Sequence, residues 1–492
     1  MSQTELPIRN PDRFYIDGKW AVPSSDKKIT VLTPSTENIF ATVAEAEESD
    51  VNAAVMAARR AFDEGPWPQL SHRERAEYLT KIGDGVSARS ADVSRLWTSE
   101  VGLVRTLGDA VAPSLGNIYK YYASLADTFP FFERHQPMAG GNVGLLVREP
   151  VGVVAAIIPW NAPPMTMAYK IAPALLAGCS VIVKSSPEAP GAAYLLAEVV
   201  EGLGLPKGVF NFITADRKVS ETLVRHAGVD KVTFTGSSAV GKRIAGICAD
   251  RVARCTLELG GKSAALVLDD YDIGEAAKAI SGSTRVMCGQ ICSSLTRVIV
   301  PRARHDAFVE ALAAEFASIA VGDPFSAGTD MGPLAMSRQR DRVEHYIAKG
   351  RAEGAKVASG GGRPTHLDRG YYIEPTVFGN VDNSMTIARE EIFGPVVSVI
   401  PARDEHQAVE IANDSVYGLN ASVFTRDSER AYHIARRLRS GTVGHNAFRT
   451  DFSIAFGGFK QSGIGREGGK EGVYPFLETK TLILDAEPHS LE

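Results

Sequence analysis

The sequence predicts an α/β protein built from two domains, each with a mainly parallel sheet covered by helices. Apolar runs of strand length alternate with helical patterns from Val151 onward, and the same alternation begins again after Glu258. Such alternation is typical of parallel sheets, whose ligands lie at the carboxyl ends of the strands. The chain has 492 residues, which is too many for one ordinary core.

The first part of the chain begins with two helices that carry no visible chemistry. Ser49 or Asp50 is the expected N-cap of the first helix. Its apolar face is formed by Val51, Ala54, Val55, Ala58 and Phe62. Ser71 and Glu74 form a capping box, which predicts that a second helix begins there. We expect both helices to serve packing only.

Two series of strands and helices follow. The first series has strands at 153–158, 181–183, 209–213 and 231–235, with helices ending near 178, covering 191–202 and beginning near 238. The second series has strands at 264–268, 296–300, 396–400 and 422–425, with helices at 305–320, 404–413 and 428–438. The second series predicts the second α/β domain.

Composition and charge exclude several classes of function. With 44% hydrophobic and 23% charged residues, the chain has the balance of a soluble globular protein. A net charge of -5 without a basic block gives no reason to expect nucleic acid. We expect no membrane span and a cytoplasmic protein, because no signal segment or sufficiently long apolar run is present. The five cysteines form neither a CxxC pair nor a zinc-type cluster, so no metal site is expected.

Two residues have the chemistry of a nucleophile and a base. Cys292 lies in a glycine-containing segment that lets the backbone approach a ligand, although a single cysteine is as readily a buried apolar residue. Glu258 lies between Leu257 and Leu259, and an apolar site would raise the pKa of its carboxyl and suit it to general base catalysis. The alternative is a glutamate at a strand end that pairs with Lys262.

Three further positions lie where predicted strands end. Asn161 follows the first strand, and its amide can stabilise an oxyanion or cap the helix before Pro163. Gly236 and Ser237 lie between the fourth strand and its helix, where backbone N–H groups meet a phosphate or form an ordinary tight turn. Lys184 ends the second strand, where it can reach ribose hydroxyls or remain a solvated lysine.

The order and spacing of six short segments resemble the aldehyde dehydrogenase superfamily. The resemblance runs from about Phe14 to Lys480, nearly the whole chain. The segments are Ile158-Pro159-Trp160-Asn161, Phe234-Thr235-Gly236-Ser237, Glu258-Leu259-Gly260-Gly261-Lys262, Gly289-Gln290-Ile291-Cys292, Glu390-Glu391-Ile392-Phe393-Gly394-Pro395 and Phe456-Gly457-Gly458-Phe459-Lys460. The resemblance implies a non-acylating enzyme that oxidises an aldehyde to a carboxylate with NAD or NADP, through a thiohemiacetal and a thioester on cysteine.

The resemblance also implies a role for each matched residue. Cys292 matches the nucleophile, Glu258 the general base and Asn161 the oxyanion-hole amide. The implied cofactor contacts are Lys184 to a ribose, and Gly236 and Ser237 to the pyrophosphate. Glu391 would hold the nicotinamide ribose with the ring of Phe393 beside it, and Trp160 would be part of the aromatic lining of the cofactor site.

The residues after Lys184 bear on the choice between NAD and NADP. Members of the family that select NAD usually carry a glutamate three residues after this lysine, where this chain has Pro187 and shifts the acid to Glu188. Either Glu188 swings in and restores NAD preference, or the site stays open to NADP. Ser185 and Ser186 can donate to a phosphate, but no arginine is near in sequence. We expect NAD to be used, with weakened discrimination against NADP.

The resemblance further implies a division into three parts and a homo-oligomer. A Rossmann-like cofactor domain would cover residues 1–126 and 150–257, and a catalytic α/β domain 258–460. A small oligomerisation element and C-terminal tail would cover 127–149 and 461–492. The stretches near 130–148 and 482–484 are extended and partly apolar. A homodimer or homotetramer is implied.

Positions near the matched motifs suggest the class of aldehyde. The candidate substrate contacts are Met165, Tyr169, Ile291, Phe448 and Phe452. Most are apolar, which favours an apolar aliphatic, terpenoid or aromatic aldehyde over a charged one. The alternative is that they are ordinary core residues.

Three other functions fit part of the sequence. An acylating dehydrogenase would pass the thioester to coenzyme A and would not need Glu258 as a base. A non-catalytic protein, such as a lens-type crystallin derived from this family, would not need Cys292 and Asn161. A plain thioester hydrolase would need the cysteine but not the cofactor residues Lys184 and Glu391.

Overall fold

The computed structural model describes residues 6–488, in which strands and helices alternate as the apolar runs predict. In chain order the strands are β1 (Phe14–Ile16), β2 (Lys19–Ala21), β3 (Lys28–Leu32), β4 (Ile39–Ala44), β5 (Phe132–His135), β6 (Val143–Pro150), β7 (Val153–Ile157), β8 (Ser180–Ser185), β9 (Phe210–Thr214), β10 (Lys231–Thr235), β11 (Arg254–Glu258), β12 (Ser263–Val267), β13 (Leu295–Pro301), β14 (Lys356–Ser359), β15 (Thr376–Gly379), β16 (Val396–Ala402), β17 (Asn420–Phe424), β18 (Thr442–His445), β19 (Gly463–Ile464) and β20 (Leu477–Leu484). Every strand predicted after Val151 is confirmed to within two residues at either end.

The α-helices fill the intervals between strands. In chain order they are α1 (Glu48–Asp63), α2 (His72–Ala88), α3 (Ser90–Val101), α4 (Arg105–Val111), α5 (Gly116–Ser124), α6 (Pro163–Ala177), α7 (Gly191–Glu201), α8 (Arg217–Arg225), α9 (Ser238–Asp250), α10 (Ile273–Thr284), α11 (His305–Ala317), α12 (Ser337–Ala352), α13 (Thr386–Arg389), α14 (Glu405–Asn413) and α15 (Ser428–Ala435). The last turns predicted for α11 and α15 are wrong, since both helices end three residues earlier than expected.

The helix starts depend on local capping chemistry. The capping box at α2 is confirmed: Ser71 Oγ accepts from the N–H of Glu74 at 3.3 Å, and the Glu74 carboxylate accepts from the N–H of Ser71 at 2.8 Å. The cap predicted for α1 at Ser49 or Asp50 is wrong, because Glu47 is the N-cap. Asp50 is instead the third helical residue, and its carboxylate accepts from the N–H of Glu47 at 2.9 Å. Glu47 and Asp50 together form the capping box, so the helix begins earlier than predicted.

The first sheet changes its strand order at the centre. The order is β19-β11-β10-β7-β8-β9-β1-β2, in which β11, β10, β7, β8 and β9 are parallel. The chain proceeds from β7 to β8 and β9 on one side and then returns to β10 and β11 on the other. A crevice forms at the carboxyl ends of β7 and β10, where the order reverses, and ligands bind at such points in open α/β sheets.

Alternating residues of the first sheet build two cores. On β7, Val154 and Ala156 pack with helices on one face, while Val153, Ala155 and Ile157 belong to the core on the other. This alternation follows from the two-residue period of a strand. Helices therefore bury the sheet on both faces, and only its edges and strand ends remain open for a site.

The second sheet lies directly after the first in the chain. Its order is β14-β15-β16-β13-β12-β17-β18, with all strands parallel except β14. A core of its own surrounds it. Residues 259–262 connect β11 of the first sheet to β12 of the second, so the two sheets meet at this loop.

A small antiparallel sheet has the order β20-β6-β5. Leu477–Leu484 pairs with Val143–Pro150 over its full length, which confirms that these stretches are extended. β19, which lies in the predicted C-terminal tail, pairs with β11 of the first sheet. The predicted domain limits stay a prediction. Within residues 6–488, every helix is too short or too polar to cross a membrane.

Candidate active site

The carboxyl edge of the first sheet brings the predicted segments side by side. Lys184 lies on β8 and Glu258 ends β11, the two strands that flank the β7–β10 pair. Between them, Trp160–Asn161 follows β7 and Gly236–Ser237 follows β10. All four segments therefore share the crevice that the change of strand order creates.

Cys292 reaches the site from the second sheet. It lies just before β13, and Glu391 and Phe393 lie just before β16, so the second sheet faces the site with the amino ends of its strands. The expectation of ligands at carboxyl ends thus applies to the first sheet only. The reason is connectivity: the chain leaves the carboxyl end of β11 and enters β12 within residues 259–262.

Two glycines in the loop between the sheets allow a close approach. A Cβ on Gly261 would lie 2.2 Å from the carbonyl oxygen of Cys292, and a Cβ on Gly260 would lie 2.5 Å from Oε2 of Glu391. The N–H of Gly261 also donates to Glu391 Oε1 at 3.1 Å. A side chain at position 261 would overlap the backbone of Cys292, and one at position 260 would displace the Glu391 carboxylate, which explains why glycines follow Glu258.

The surroundings of Cys292 disfavour its thiolate. Burial raises the pKa of this thiol above its usual range, and the carboxylates of Glu391 and Glu258 raise it further. The thiol is therefore protonated at neutral pH, and it needs a proton acceptor before it can act as a nucleophile.

Glu258 is a buried carboxyl without a partner. Its side chain is 2% exposed, and neither carboxyl oxygen has a hydrogen-bond partner within residues 6–488. Burial raises the pKa of Glu258 well above its ordinary value, and Glu467 raises it further. The alternative pairing with Lys262 does not occur, since the Nζ of that lysine also lacks a partner in the same range.

A buried ion pair beside Glu258 was missed by the sequence analysis. Lys170 Nζ donates to the carboxylate of Glu467 and to Thr233 Oγ1, the latter at 3.3 Å. Lys170 and Arg466 lower the pKa of Glu258, whereas Glu467 raises it. The only signal in the sequence was that Lys170 is the single charged residue of the otherwise apolar helix α6.

The amide of Asn161 is directed to the cysteine segment. Its Nδ2 donates to the carbonyl oxygen of Gln290 at 3.0 Å. The alternative role as a helix cap is wrong, because Ala162 is the N-cap of α6 and Asn161 accepts no bond from the helix start. An amide NH₂ has two hydrogens, so one stays available for an oxyanion next to Cys292.

The two ribose-binding candidates, Lys184 and Glu391, are polar groups whose pKa values are shifted by burial. Lys184 is 7% exposed and makes no hydrogen bond to residues 6–488, which leaves its ammonium donors free for a ligand. Burial lowers the pKa of Lys184 to about 8, and Glu188 and Asp216 partly offset this. Burial also raises the pKa of Glu391 to about 7.

The remaining cofactor candidates lie at the mouth of the same crevice. Trp160 and Phe393 meet edge to face, with ring centroids 5.4 Å apart and planes at 88°. Ser237 is the N-cap of α9, and its Oγ accepts from the N–H of Val240 at 3.4 Å. The next backbone N–H groups of α9 begin a helix of 13 residues, a favourable position for a pyrophosphate.

The residues after Lys184 form a polar cluster that includes a distant arginine. One Glu188 oxygen accepts from Ser186 Oγ, and the other accepts from the guanidinium of Arg338 on α12. Together they hold the pKa of Glu188 below its usual range despite burial. The absence of an arginine near in sequence is thus offset by one that is 150 positions away.

The substrate candidates are all half-buried, and the structure groups some of them. Tyr169 and Phe452 stack with centroids 4.5 Å apart, and Phe452 stacks on Phe456 at 4.2 Å. Phe456 was not among the predicted contacts. Its backbone N–H donates to the carbonyl oxygen of Glu467 at 2.6 Å. We call Tyr169, Phe452 and Phe456 the aromatic wall.

The other substrate candidates have different neighbours. Met165 packs in the cluster that contains Trp160, and it also contacts the core around α6. Ile291 directly precedes Cys292. Phe448 packs against the core of the second sheet and has no recorded ring contact with the aromatic wall.

Fold and site together define an α/β protein of the dinucleotide-binding type with a half-buried thiol and a buried carboxyl at its sheet crevice. The family model described as the aldehyde dehydrogenase family matches residues 20–482. A geranial dehydrogenase of Castellaniella defragrans is 42% identical over 472 residues, covering 96% of this chain and 98% of the relative. The chain therefore belongs to the aldehyde dehydrogenase family.

Solved structures agree with this assignment. A Mycobacterium tuberculosis aldehyde dehydrogenase complexed with NAD+ is 42% identical with a TM-score of 0.94, covering 97% of this chain and 99% of that one. A mutant aldehyde dehydrogenase C of Pseudomonas syringae, complexed with NAD+ and octanal, is 38% identical with a TM-score of 0.94, covering 99% and 100%.

Proposed function

We propose that this protein oxidises an apolar aldehyde to the carboxylic acid with NAD. The observation that carries the proposal is that Cys292 lies near enough to the buried carboxyl of Glu258 for that carboxyl to raise its pKa, while the carboxyl has no hydrogen-bond partner within residues 6–488. The related structures named above bind NAD+, and one of them also holds octanal.

The first chemical step takes place at Cys292. Since its thiol is protonated, its proton first passes to solvent water, and the sulfur then attacks the carbonyl carbon of the aldehyde. The C–O π bond becomes an oxyanion, which the free N–H of Asn161 stabilises. When NAD is bound, it accepts the hydride that leaves the carbon, and a thioester remains on the cysteine.

The second step hydrolyses the thioester. Glu258, after losing its proton to solvent, accepts a proton from water, and the water oxygen attacks the thioester carbon. The C–S bond breaks and the sulfur leaves with the electron pair. A buried carboxyl with a raised pKa suits this step, because proton transfer from water is favoured by a stronger base.

The residues for NAD lie on both sides of the crevice. Lys184 would donate to ribose hydroxyls, and Glu391 would accept from those of the nicotinamide ribose. Gly236 and Ser237 would face the pyrophosphate, with Trp160 and Phe393 beside the nicotinamide.

The test of this function is NADH formation with a panel of aldehydes. We expect long apolar and aromatic aldehydes to be oxidised to free acids without coenzyme A. A strict requirement for coenzyme A would favour an acylating enzyme, and the absence of NADH formation with every aldehyde would contradict the proposal.

The ion pair beside Glu258 is expected to set the pH at which the thioester is hydrolysed. Glu258 acts as a base when deprotonated, so the hydrolysis rate rises as the pH passes its pKa. Lys170→Met removes a charge that lowers this pKa and should move the rise to higher pH, by about one unit. Glu467→Gln removes a charge that raises it and should move the rise to lower pH.

Rapid-quench measurement of hydrolysis across pH checks this prediction. The double variant Lys170→Met/Glu467→Gln is the control, because its two opposite effects should nearly cancel. Each single variant leaves a buried charge unpaired, at a cost of about 3–5 kcal/mol, so melting temperatures are measured as well. If the pH at which hydrolysis rises moved in the same direction in both single variants, the effect assigned to the ion pair would be contradicted.

The aromatic wall is expected to select planar or long apolar aldehydes. Phe452→Ala removes the central ring of the stack and should lower kcat/KM for an aromatic aldehyde about tenfold, since a buried ring contributes about 1–2 kcal/mol. A small polar aldehyde should lose about twofold or less. Tyr432→Ala, which removes an exposed aromatic ring on α15, is the matched control. Equal losses for both aldehydes would contradict the assignment.

We also infer a homodimer or homotetramer in which the sheet of β5, β6 and β20 takes part. Its support is the edge strand β5, which pairs with β6 alone within residues 6–488, and Ile483 on β20, which is 57% exposed. Light scattering of the purified protein measures the mass, and a monomer at micromolar concentration would contradict the inference.

A further inference from the structure

Glu188 is fully occupied by its neighbours beside the ribose-binding candidate. Its two oxygens accept from Ser186 and from Arg338, and the family resemblance places Pro187 where members that select NAD usually carry a glutamate. The side chain of Glu188 is only 21% exposed, whereas that of Arg338 is 56% exposed. The carboxylate is therefore held inward, while the guanidinium remains open to solvent and to a ligand.

Packing fixes this arrangement. Ala189, which follows Glu188, and Ala335 and Met336, which precede α12, belong to one small apolar cluster. The N–H of Ala335 donates to Gln290 Oε1 at 3.0 Å, which ties the start of α12 to the cysteine segment. Arg338 is thus held near Glu188 by neighbours on both sides and not by the ion pair alone.

Arg338 keeps hydrogen-bond donors for an added anion near Lys184. Two cations, Lys184 and Arg338, lie around the carboxylate of Glu188, and both Glu188 and the exposed Asp216 are near enough to Lys184 to affect its pKa. A guanidinium has five N–H donors, and the recorded bond to Glu188 uses one of them. Arg338 is also the second residue of α12, where the positive end of the helix dipole adds to the attraction.

We propose that Arg338 binds the 2′-phosphate of NADP on the adenosine ribose, so that the site accepts NADP as well as NAD. The proposal rests on the dinucleotide site of the proposed function and identifies the residue that sets its cofactor range. Arg338 neutralises Glu188 when NAD is bound, and it shares its guanidinium with the phosphate when NADP is bound. Phosphate recognition by arginine replaces the like-charge repulsion that an unpaired glutamate would exert.

Calorimetric titration of the cofactor-free enzyme with NAD and with NADP tests the proposal without relying on turnover. The wild type should bind both. Arg338→Ala should weaken NADP binding about thirtyfold, because it removes the phosphate contact and frees Glu188, and it should change the Kd for NAD by about threefold or less. Lys349→Ala is the matched control: it removes the same charge from an exposed position on the same helix and should change neither Kd.

A second variant tests the carboxylate. Glu188→Gln keeps the shape of the side chain and removes its charge, so NADP binding should become about tenfold tighter. This result is expected whether or not Arg338→Ala folds, which its melting curve will show.

Each outcome of these titrations either supports or overturns a proposal. A loss of NADP affinity at least fivefold larger than the loss of NAD affinity in Arg338→Ala supports the proposal. Equal losses, no loss, or no gain of NADP affinity in Glu188→Gln overturn it. A wild type that binds NAD but not NADP overturns this proposal and leaves the proposed function intact. A wild type that binds neither dinucleotide overturns the proposed function itself.

Discussion

Replacing Cys292 by serine is expected to lower kcat/KM by about ten-thousandfold or more while NAD still binds. Serine has nearly the same shape, but its hydroxyl is far less acidic than a thiol, and burial together with two nearby carboxyls already disfavours the anion at this position. Steady-state NADH formation measures the loss, and calorimetric titration with NAD measures the retained binding.

Cys288→Ser is the control for this experiment. Cys288 lies in the same segment, but it is 1% exposed and packs in the hydrophobic core of the second sheet. We expect it to retain most of the turnover. Near-normal turnover in Cys292→Ser would show that the nucleophile is another residue.

The second large effect is expected for Glu258→Gln. The amide keeps the shape of the carboxyl but cannot accept a proton, so hydrolysis of the thioester should slow by about a hundredfold or more. A rapid burst of NADH, close to one equivalent per active site, should then be followed by a nearly stalled steady state. Stopped-flow absorbance records both phases.

The pH dependence has a defined sign in this experiment. In the wild type the steady-state rate should increase as the pH rises through the elevated pKa of Glu258, and in Glu258→Gln this increase should disappear. The glutamine variant should not melt at a lower temperature, because it removes a buried ionisable group that has no partner.

A second buried glutamate provides the matched control. Glu100 is 3% exposed, and burial raises its pKa to about 8, but it accepts from the N–H of Gly191 at the start of α7 and is not among the groups that shift the pKa of Cys292. Glu100→Gln should keep both the burst and the steady-state rate. Loss of the burst itself in Glu258→Gln would contradict a mainly hydrolytic role.

Much of the fold was predictable because its signals are local. The strand 231–235 was predicted to the residue and the start of α9 was predicted near Ser238, where it begins, since an apolar run, a Gly-Ser turn and a helix follow one another directly. The cap of α1 was predicted wrongly because several acidic and polar residues near Glu47 compete for one role, and only the backbone geometry selects among them.

The ordered motifs pointed to the site residues, and the structure gives a physical reason for their form. Glycines follow Glu258 because Glu391 and the backbone of Cys292 occupy the space that side chains would need. Substrate contacts were harder to predict, because the sequence does not distinguish an aromatic residue that lines a site from one that packs against a core. Tyr169 and Phe452 do stack, but Phe456 completes the aromatic wall and Phe448 packs elsewhere.

The sequence by itself determined the alternation of strands and helices, the family resemblance and the candidate nucleophile, base and amide, because each depends on neighbouring residues. The tertiary structure alone decided that the second sheet faces the site with the amino ends of its strands. It also decided that Lys170 meets Glu467 and that Arg338 meets Glu188, across 297 and 150 positions. No local pattern encodes such contacts, since they form only when the strand order and the packing of two cores bring distant segments together.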